Sequence, residues 1–289
     1  MWEYKNGNYI VRILDDGTKF RLSDNPVPEI PESIDVKITN KCDGGCAFCH
    51  EKSTPDGKSF NVNLAYRLFK ELPGGVELAI GGGNPLECLQ DLRWLDRKLQ
   101  YNGLIKNITI NAKHLDMFNN CYLGLEAIGV SYNKNLHKEI KEFSDKEKEY
   151  HQIVVHLIAG VHTTEDLKRC LEDFDRVLIL GYKQFGRGIE YYGKDVEDSL
   201  TDWKQNIGQY LRGKDKIVVF DNLAITQLDV KRYFSDIRWK DIYMGNDGQF
   251  TMYLDLVEEK FAVSSRSPGR FDIGDMSIKE MFAKVRSKK

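Results

Sequence analysis

Residues 34–49 read IDVKITNKCDGGCAFC and combine the two features on which the fold depends. The short apolar run Ile34–Thr39 predicts a buried β-strand. Cys42, Cys46 and Cys49 follow this run, so we expect them on a loop at the carboxyl end of the strand. This is the position at which α/β folds carry their chemistry.

The same pattern of apolar runs and helical segments continues to about residue 224. Six further apolar runs predict strands, at Val76–Ile80, Ile108–Ile110, Ala127–Ser131, Ile153–Ile158, Val177–Leu180 and Ile217–Phe220. The clearest helical segments between them are Leu64–Leu72, Leu89–Gln100, Lys134–Phe143, Thr164–Phe174 and Leu200–Leu211. This alternation predicts an α/β fold with a mostly parallel sheet, which is either doubly wound or a (β/α) barrel.

The two ends of the chain follow other patterns. We predict that residues 1–31 form an N-terminal β-hairpin and a proline-rich linker, because they contain turn signals and three of the seven prolines. Residues 32–224 then form the β/α unit, and residues 225–289 a small C-terminal α+β cap. The expected cap elements are a hairpin of Ile242–Met244 and Gln249–Leu254 around Gly245–Gly248, a strand at Phe261–Ser264 and a helix at Ser277–Arg286.

Composition and charge exclude several classes of function. The chain has 42 Lys and Arg against 44 Asp and Glu, a net charge of −2, so no nucleic-acid partner held by bulk electrostatics is indicated. No apolar segment approaches the length of a membrane span, and the first residues lack the apolar core of a signal peptide. We therefore expect a cytoplasmic protein without a membrane partner. Three of the six cysteines lie within eight residues, which favours a metal site over a disulfide framework.

The cysteine loop fits an iron–sulfur cluster better than a structural zinc ion. Three thiolates on one tight loop can ligate three irons of a cubane cluster and leave the fourth iron open. Zinc prefers four closed ligands, usually in two separated knuckles. His50 is the available fourth ligand, but it directly follows Cys49, which is an awkward position for closing a tetrahedron. The remaining cysteines stand alone and are expected to be buried apolar residues: Cys88, Cys121 and Cys170.

The spacing C-x3-C-x2-C, with the aromatic Phe48 before the last cysteine, resembles the signature of the radical SAM superfamily. The resemblance implies a partial (β/α)6 TIM-like barrel. It also implies that Cys42, Cys46 and Cys49 hold one [4Fe–4S] cluster, whose open iron binds S-adenosyl-L-methionine (SAM). Phe48 is then expected near the adenine of SAM.

Further SAM contacts follow from the same resemblance. Gly81, Gly82, Gly83 and Asn84 come after the Val76–Ile80 strand and resemble the family's Gly-Gly-Glu-Pro turn, with an amide in place of the acid. Glycines permit the backbone to approach a ligand closely, although an ordinary strand-to-helix turn is the alternative. The other candidates lie near strand ends, where plain structural roles are the alternative: Asn111, Ser131, Asn133, His156 and Tyr182.

The region from Leu178 to Gly188 and the C-terminal segment resemble radical SAM enzymes with a SPASM or twitch extension. No cysteine follows Cys170, so we expect a cysteine-free extension without a second cluster. The implied reaction is reductive cleavage of SAM to a 5′-deoxyadenosyl radical, which abstracts hydrogen from a substrate. Reduced flavodoxin or ferredoxin is the expected electron donor.

Three alternatives for the substrate and function stay open. The first is hydrogen abstraction from a peptide or protein side chain, with an edge strand of the N-terminal hairpin available to pair with a peptide. The second is the same chemistry on a small molecule or nucleoside base, whose phosphate or carboxylate would bind Lys183, Arg187 or Arg266. The third is a non-catalytic iron–sulfur binding or sensing module.

Overall fold

The computed structural model describes residues 1–119, 121–211 and 216–287. The strands are β1 (Trp2–Asn6), β2 (Tyr9–Ile13), β3 (Lys19–Leu22), β4 (Ser33–Thr39), β5 (Glu77–Gly82), β6 (Ile105–Asn111), β7 (Ala127–Ser131), β8 (Gln152–Ile158), β9 (Arg176–Leu180), β10 (Ile217–Phe220), β11 (Thr251–Asp255), β12 (Lys260–Ala262) and β13 (Phe271–Asp272). The α-helices are α1 (Val62–Phe69), α2 (Leu89–Leu99), α3 (His137–Glu147), α4 (Thr164–Asp173), α5 (Gly188–Tyr191), α6 (Lys194–Asn206), α7 (Asn222–Gln227), α8 (Asp236–Ile242) and α9 (Ile278–Ser287).

Ten of these strands form one sheet in the order β10-β9-β8-β7-β6-β5-β4-β11-β12-β13. The strands from β4 to β10 are parallel neighbours in chain order, and β11 adds a further parallel strand beside β4. The seven apolar runs from residue 34 to residue 220 all fall on β4–β10. The chain is therefore an α/β protein with a mostly parallel sheet. Its strand order descends from β10 to β4 and then ascends from β11 to β13.

The two faces of this sheet differ in character. Ile34, Val36 and Ile38 on β4 are buried against the helices that follow the strands, and the matching residues of β5–β9 are buried in the same way. Burying one such side chain contributes about 1.5–3 kcal/mol to stability. The opposite face of β4 carries Asp35 and Lys37. The sheet thus has one apolar face covered by helices and one polar face.

Contacts between distant strands require the sheet to curve. β4 and β9 are five strand spacings apart, which would separate them by roughly 24 Å in a flat sheet. The loops after these strands nevertheless hydrogen-bond, with Arg187 Nε donating to Cys46 O at 3.0 Å. Asp221, after β10, also acts electrostatically on Asp35 within β4. The polar face is therefore concave. In the sheet as described, β10 and β13 form the two edges and do not pair with each other.

The N-terminal segment is a three-stranded antiparallel sheet, not the expected hairpin. Turns are present at both turn signals of this segment, Asn6-Gly7 and Asp15–Gly17, so the chain reverses twice and gives the order β1-β2-β3. Buried Glu32 links this sheet to the start of β4, because it accepts hydrogen bonds from Tyr9 Oη at 2.6 Å and Arg21 Nε at 2.7 Å.

The C-terminal segment differs from the prediction in two respects. Residues 242–244 do not form a hairpin strand, since α8 occupies Asp236–Ile242 and the next strand begins at Thr251. Asn222 Nδ2 donates to Gly245 O at 3.2 Å and to Asp247 Oδ1 at 2.7 Å, which ties the expected turn to α7. β11 then joins β4 in the main sheet.

The helix predicted at the end of this segment is present. The closing helix is confirmed as α9, and the Ser277 and Glu280 side chains and backbone amides cap its first turn reciprocally. The domain boundaries after residues 31 and 224 stay predictions. No helix in the described part of the chain is long and apolar enough to cross a membrane.

Candidate metal and cofactor site

The three clustered cysteines lie on one loop at the carboxyl end of β4. All three thiols are free and partly exposed. The loop is held by its own backbone, with Cys42 N donating to Thr54 O at 2.8 Å and Cys49 N donating to Cys46 O at 3.2 Å. Gly45 adopts a positive φ of 61°, which glycine tolerates without strain. The sequence therefore located the loop correctly.

Two donors point at the sulfur atoms of this loop. Gly44 N donates to Cys42 Sγ at 3.3 Å, and Asn111 Nδ2 donates to Cys46 Sγ at 3.5 Å. Hydrogen bonds to sulfur stabilise thiolates and tune the potential of a bound cluster. Without a metal, burial raises the pKa of the Cys42 thiol. Asn111, expected to contact SAM, thus lies against a cysteine sulfur.

The segment after β6 makes two further contacts with the cysteine loop. His114 Nε2 and Asp43 Oδ1 are 2.6 Å apart, and Lys113 Nζ donates to Gly44 O at 2.6 Å. The sequence analysis missed Asp43, Lys113 and His114 as site residues. No local signal marks them, because the contacts join residues about seventy positions apart in the chain.

The predicted glycine turn packs directly against the segment that leads to Cys42. Gly83 N donates to Thr39 O at 2.7 Å. A Cβ at Gly82 or Gly83 would overlap backbone atoms of Thr39 or Lys41, and Gly82 has a φ of 118°. Gly81 has open space on its Cβ side. The turn therefore needs Gly82 and Gly83 for close packing, whereas a Cβ at Gly81 would meet nothing within 4 Å.

Three predicted SAM contacts have hydrogen-bond partners within the surrounding loops, and their contact with SAM stays a prediction. The buried Asn84 accepts from Leu86 N at 3.2 Å, and Asn133 accepts from Asn135 N at 3.1 Å, so each begins a short 3-10 helix. Buried Tyr182 donates from Oη to Gly188 O at 2.7 Å. These side chains build the loops around the site.

Asn111, Ser131 and His156 are neighbours across β6, β7 and β8 on the concave face. The His156 ring lies where a Cβ of Gly129 would be, so the glycine makes room for it. Burial lowers the pKa of His156 to about 4, which keeps the imidazole neutral. Within the described ranges, no side-chain hydrogen bond engages this imidazole. It is therefore available to a ligand in the concavity.

The loop after β9 holds the cysteine loop from the other side. Arg187 Nη1 donates to Ser53 O at 3.1 Å, in addition to its contact with Cys46, and Arg187 N donates to Cys49 O at 3.0 Å. Phe48 meets Tyr191 edge to face, with ring centroids 5.8 Å apart. Arg187 is thus a positioning residue for the cysteine loop. Phe48 packs against Tyr191, which lies in the same segment after β9.

A buried ionic network connects the cysteine loop to the C-terminal segment, and sequence reasoning missed it. Lys37 Nζ lies 2.8 Å from Glu51 Oε2 and 3.1 Å from Asp255 Oδ2, and Arg270 pairs with Asp255 at 2.7 Å. Burial alone would raise the pKa of Glu51, but His50 and Lys37 hold it well below its usual range. The network fixes the end of the cysteine loop.

The three basic residues considered for anion binding differ in their surroundings. Arg187 serves the cysteine loop, and Arg266 pairs with Asp247 at 2.7 Å. Lys183 Nζ contacts His50 Nε2 at 3.3 Å and Ser265 Oγ at 3.0 Å. Among the residues that the structure describes, no carboxylate pairs with Lys183. It is therefore the candidate for binding an anionic group.

The cysteines outside the loop are buried, as expected: Cys88, Cys121 and Cys170. His50 Nε2 lies 3.4 Å from Glu51 Oε1 and 3.3 Å from Lys183 Nζ.

Comparisons with known proteins assign no family. No protein-family model matches the sequence, and no curated protein matches it. Among solved structures, a mutant tryptophan synthase α-subunit from the hyperthermophile Pyrococcus furiosus is 11% identical, with 70% of this chain and 91% of that chain covered and a TM-score of 0.30. Likeness at this level carries no inference about the chain.

Proposed function

We propose that this protein is a radical SAM enzyme built on a partial (β/α)6 TIM-like barrel. The observation that carries the proposal is the loop with Cys42, Cys46 and Cys49, three free thiols at the carboxyl end of β4. The other described cysteines are buried elsewhere, which leaves three protein ligands for a four-iron cluster. SAM is the exogenous ligand expected at the fourth iron.

The residues around the loop fit such a cofactor. Asn111 and Gly44 supply hydrogen bonds to the thiols, and the open side of Gly81 offers backbone to the methionine part of SAM. When bound, the cluster and SAM supply one-electron chemistry that ends in hydrogen abstraction. A cytoplasmic flavodoxin or ferredoxin is the proposed electron donor.

The chain itself contributes position and water exclusion. Arg187 fixes the cysteine loop, and Phe48 of that loop packs edge to face against Tyr191. A carbon radical reacts with almost any nearby C–H bond, so the concave face must hold one substrate hydrogen close to it. Ser131 and His156 border this space and are the proposed contacts to substrate or SAM.

For the substrate, we propose a peptide or protein side chain. Support comes from the resemblance of the loop after β9 and of the cysteine-free C-terminal segment to peptide-modifying members. The second candidate is a small molecule or nucleoside base with a carboxylate or phosphate. Lys183 favours this candidate, because it has no carboxylate partner in the described residues. A non-catalytic iron–sulfur module is the alternative of another class.

Anaerobic reconstitution followed by reduction in the presence of SAM tests the proposal. We expect 5′-deoxyadenosine from the intact protein and none from Cys42→Ala. Cys121→Ala, a buried thiol outside the loop, is the matched control and is expected to keep the activity. A protein that carries a cluster but forms no 5′-deoxyadenosine under strong reduction would instead support the sensing module.

A further inference from the structure

Asp35 is a charged residue on the concave face that has no partner in the structure. It lies near the middle of β4, between Ala79 of β5 and Tyr253 of β11. Although strands flank it on both sides, Asp35 is exposed, so its side chain extends into the space that the curved sheet borders. Within the described ranges, no hydrogen bond or ion pair engages its carboxylate. Asp35 is therefore free to contact a ligand in the concavity.

Lys183 is an unpaired cation close to Asp35. Its Nζ contacts His50 Nε2 at 3.3 Å and Ser265 Oγ at 3.0 Å, and an ammonium group has three donors, so one donor stays free. Lys183 acts electrostatically on Asp35, yet the two groups do not form an ion pair. His50 directly follows Cys49 in the chain, so this ammonium group lies beside the cysteine loop. A carboxylate and an ammonium group are thus both available to one ligand near the loop.

The other carboxylates near Asp35 decide which sign of charge this region favours. Glu77, Asp221 and Asp247 all act on Asp35 electrostatically. Asp247 is neutralised by an ion pair of 2.7 Å, whereas Glu77 and Asp221 accept only from uncharged donors in the part of the chain that the structure describes. When they are ionised, Asp35, Glu77 and Asp221 outnumber the one unpaired cation, Lys183. The region therefore favours a ligand group with positive charge.

The raised pKa of Asp35 supports the same sign. Although water reaches Asp35, the surrounding sheet limits its hydration, and this desolvation, together with the neighbouring carboxylates, raises the pKa to about 6 against the opposing effect of Lys183. Lys37, the other cation of β4, is already paired with Glu51 and Asp255. A cation bound at Asp35 would stabilise the ionised carboxylate.

We propose that the peptide substrate presents a basic side chain, lysine or arginine, to Asp35. The ammonium or guanidinium group pairs with the carboxylate through charge-assisted hydrogen bonds, and a backbone carbonyl of the same peptide accepts from the free donor of Lys183. This inference rests on the proposed peptide substrate, and it names the class of residue that enters the concavity.

Binding of short peptides to the full-length protein tests the inference. The probes are Gly-Gly-X-Gly-Gly peptides with blocked termini, in which X is lysine, arginine, glutamate or the uncharged norleucine, and calorimetry measures each affinity. We expect the lysine or the arginine peptide to bind about tenfold or more tightly than the norleucine peptide, because a hydrogen bond to a charged group separates them. Asp35→Asn should remove this preference. Lys183→Met should weaken binding of the norleucine peptide, since it removes the contact with the backbone carbonyl.

Asp198→Asn is the matched control for Asp35→Asn. Asp198 is an exposed residue of α6, and its variant should keep the preference of the parent for a basic peptide. Asparagine has nearly the size of aspartate, and thermal unfolding checks that Asp35→Asn is folded. The comparison of peptides on the parent protein needs no variant at all.

Three results would overturn the inference. These are absence of binding by both basic peptides, affinity for the norleucine or glutamate peptide that equals or exceeds theirs, and a preference that survives in Asp35→Asn. The binding assay does not depend on SAM cleavage. A protein that forms 5′-deoxyadenosine but lacks the preference would therefore keep the proposed activity and lose this site, and the reverse pair of results would keep only the site.

Discussion

At His156, a glycine on the neighbouring strand decides where an imidazole can lie. Gly129 of β7 has no side chain, and the ring of His156 occupies that volume on the concave face. The position also faces the Thr109 hydroxyl of β6. The missing side chain at Gly129 thus leaves room for the neutral imidazole of His156 on the concave face.

Gly129→Ala should therefore displace His156 and destabilise the fold by about 1–3 kcal/mol, the usual cost of overpacking a filled site. Urea unfolding monitored by circular dichroism measures this change. Gly193→Ala is the control, since a Cβ there meets nothing within 4 Å, and its cost should stay within about 0.5 kcal/mol. Equal stabilities of the two variants would contradict this account of Gly129.

His156 also predicts a dependence of stability on pH. Its pKa is about 4 in the folded protein, because burial disfavours the charged form, against an ordinary value of 6.5. Below pH 6.5 the unfolded chain binds a proton at His156 that the folded chain does not bind until the pH nears 4. The free energy of unfolding that depends on His156 is therefore highest above pH 6.5 and falls as the pH falls toward 4.

His156→Gln should remove this pH-dependent change in the free energy of unfolding, which is on the order of 3 kcal/mol between pH 6.5 and pH 4. Urea unfolding at pH 7.5 and 4.5 gives the difference for each protein. The loss on acidification should be smaller in the variant than in the parent. The same loss in both proteins would show that His156 titrates normally.

Among the elements, the segments after β6 and β9, which contact the cysteine loop, are the least predictable from local sequence. Apolar runs located β4–β10 because buried parallel strands need continuous apolar residues on the covered face. The contacts of Arg187 and His114 with the cysteine loop depend instead on the curvature of the sheet. Likewise, α8 extends to Ile242, so no strand precedes the turn that Gln249 N closes on Asn246 O at 3.0 Å.

Arg187→Gln should loosen residues 46–53 without unfolding the rest of the protein. Loss of the charged donors to Cys46 O and Ser53 O removes roughly 1.5–3 kcal/mol, so amide exchange in this segment should rise about tenfold or more. Hydrogen–deuterium exchange of the clusterless protein measures it, and Arg187→Lys should recover part of the protection. The control is Arg97→Gln, whose Nε bonds Arg93 O within α2. Unchanged exchange in Arg187→Gln would contradict the positioning role.

At the scale of the whole molecule, the buried network around Lys37 links β4 to β11, two neighbouring strands that are far apart in the chain. Lys37 in β4 neutralises Glu51 from the cysteine loop and Asp255 from β11, and Asp255 is fully buried. The sequence analysis treated the C-terminal segment as a separate cap, because no local signal pairs residues about 220 positions apart. The parallel pairing of β11 with β4 places this network inside the main sheet.

Lys37→Met should destabilise the protein by about 3–5 kcal/mol, because it leaves two buried carboxylates without their shared cation. Chemical denaturation at pH 7 gives the change. Lys216→Met breaks the exposed pair with Asp175 and should cost at most about 1 kcal/mol. If both variants lose equally little, the network does not join the two parts of the fold.

The central claim is that three thiols on one loop hold a cubane cluster with one open iron. Iron and acid-labile sulfide analysis of the anaerobically reconstituted protein tests it most directly. The account predicts about four irons and four sulfides per chain, with both lost in Cys49→Ala. A parent protein that binds about one zinc ion per chain, with no sulfide, would contradict it.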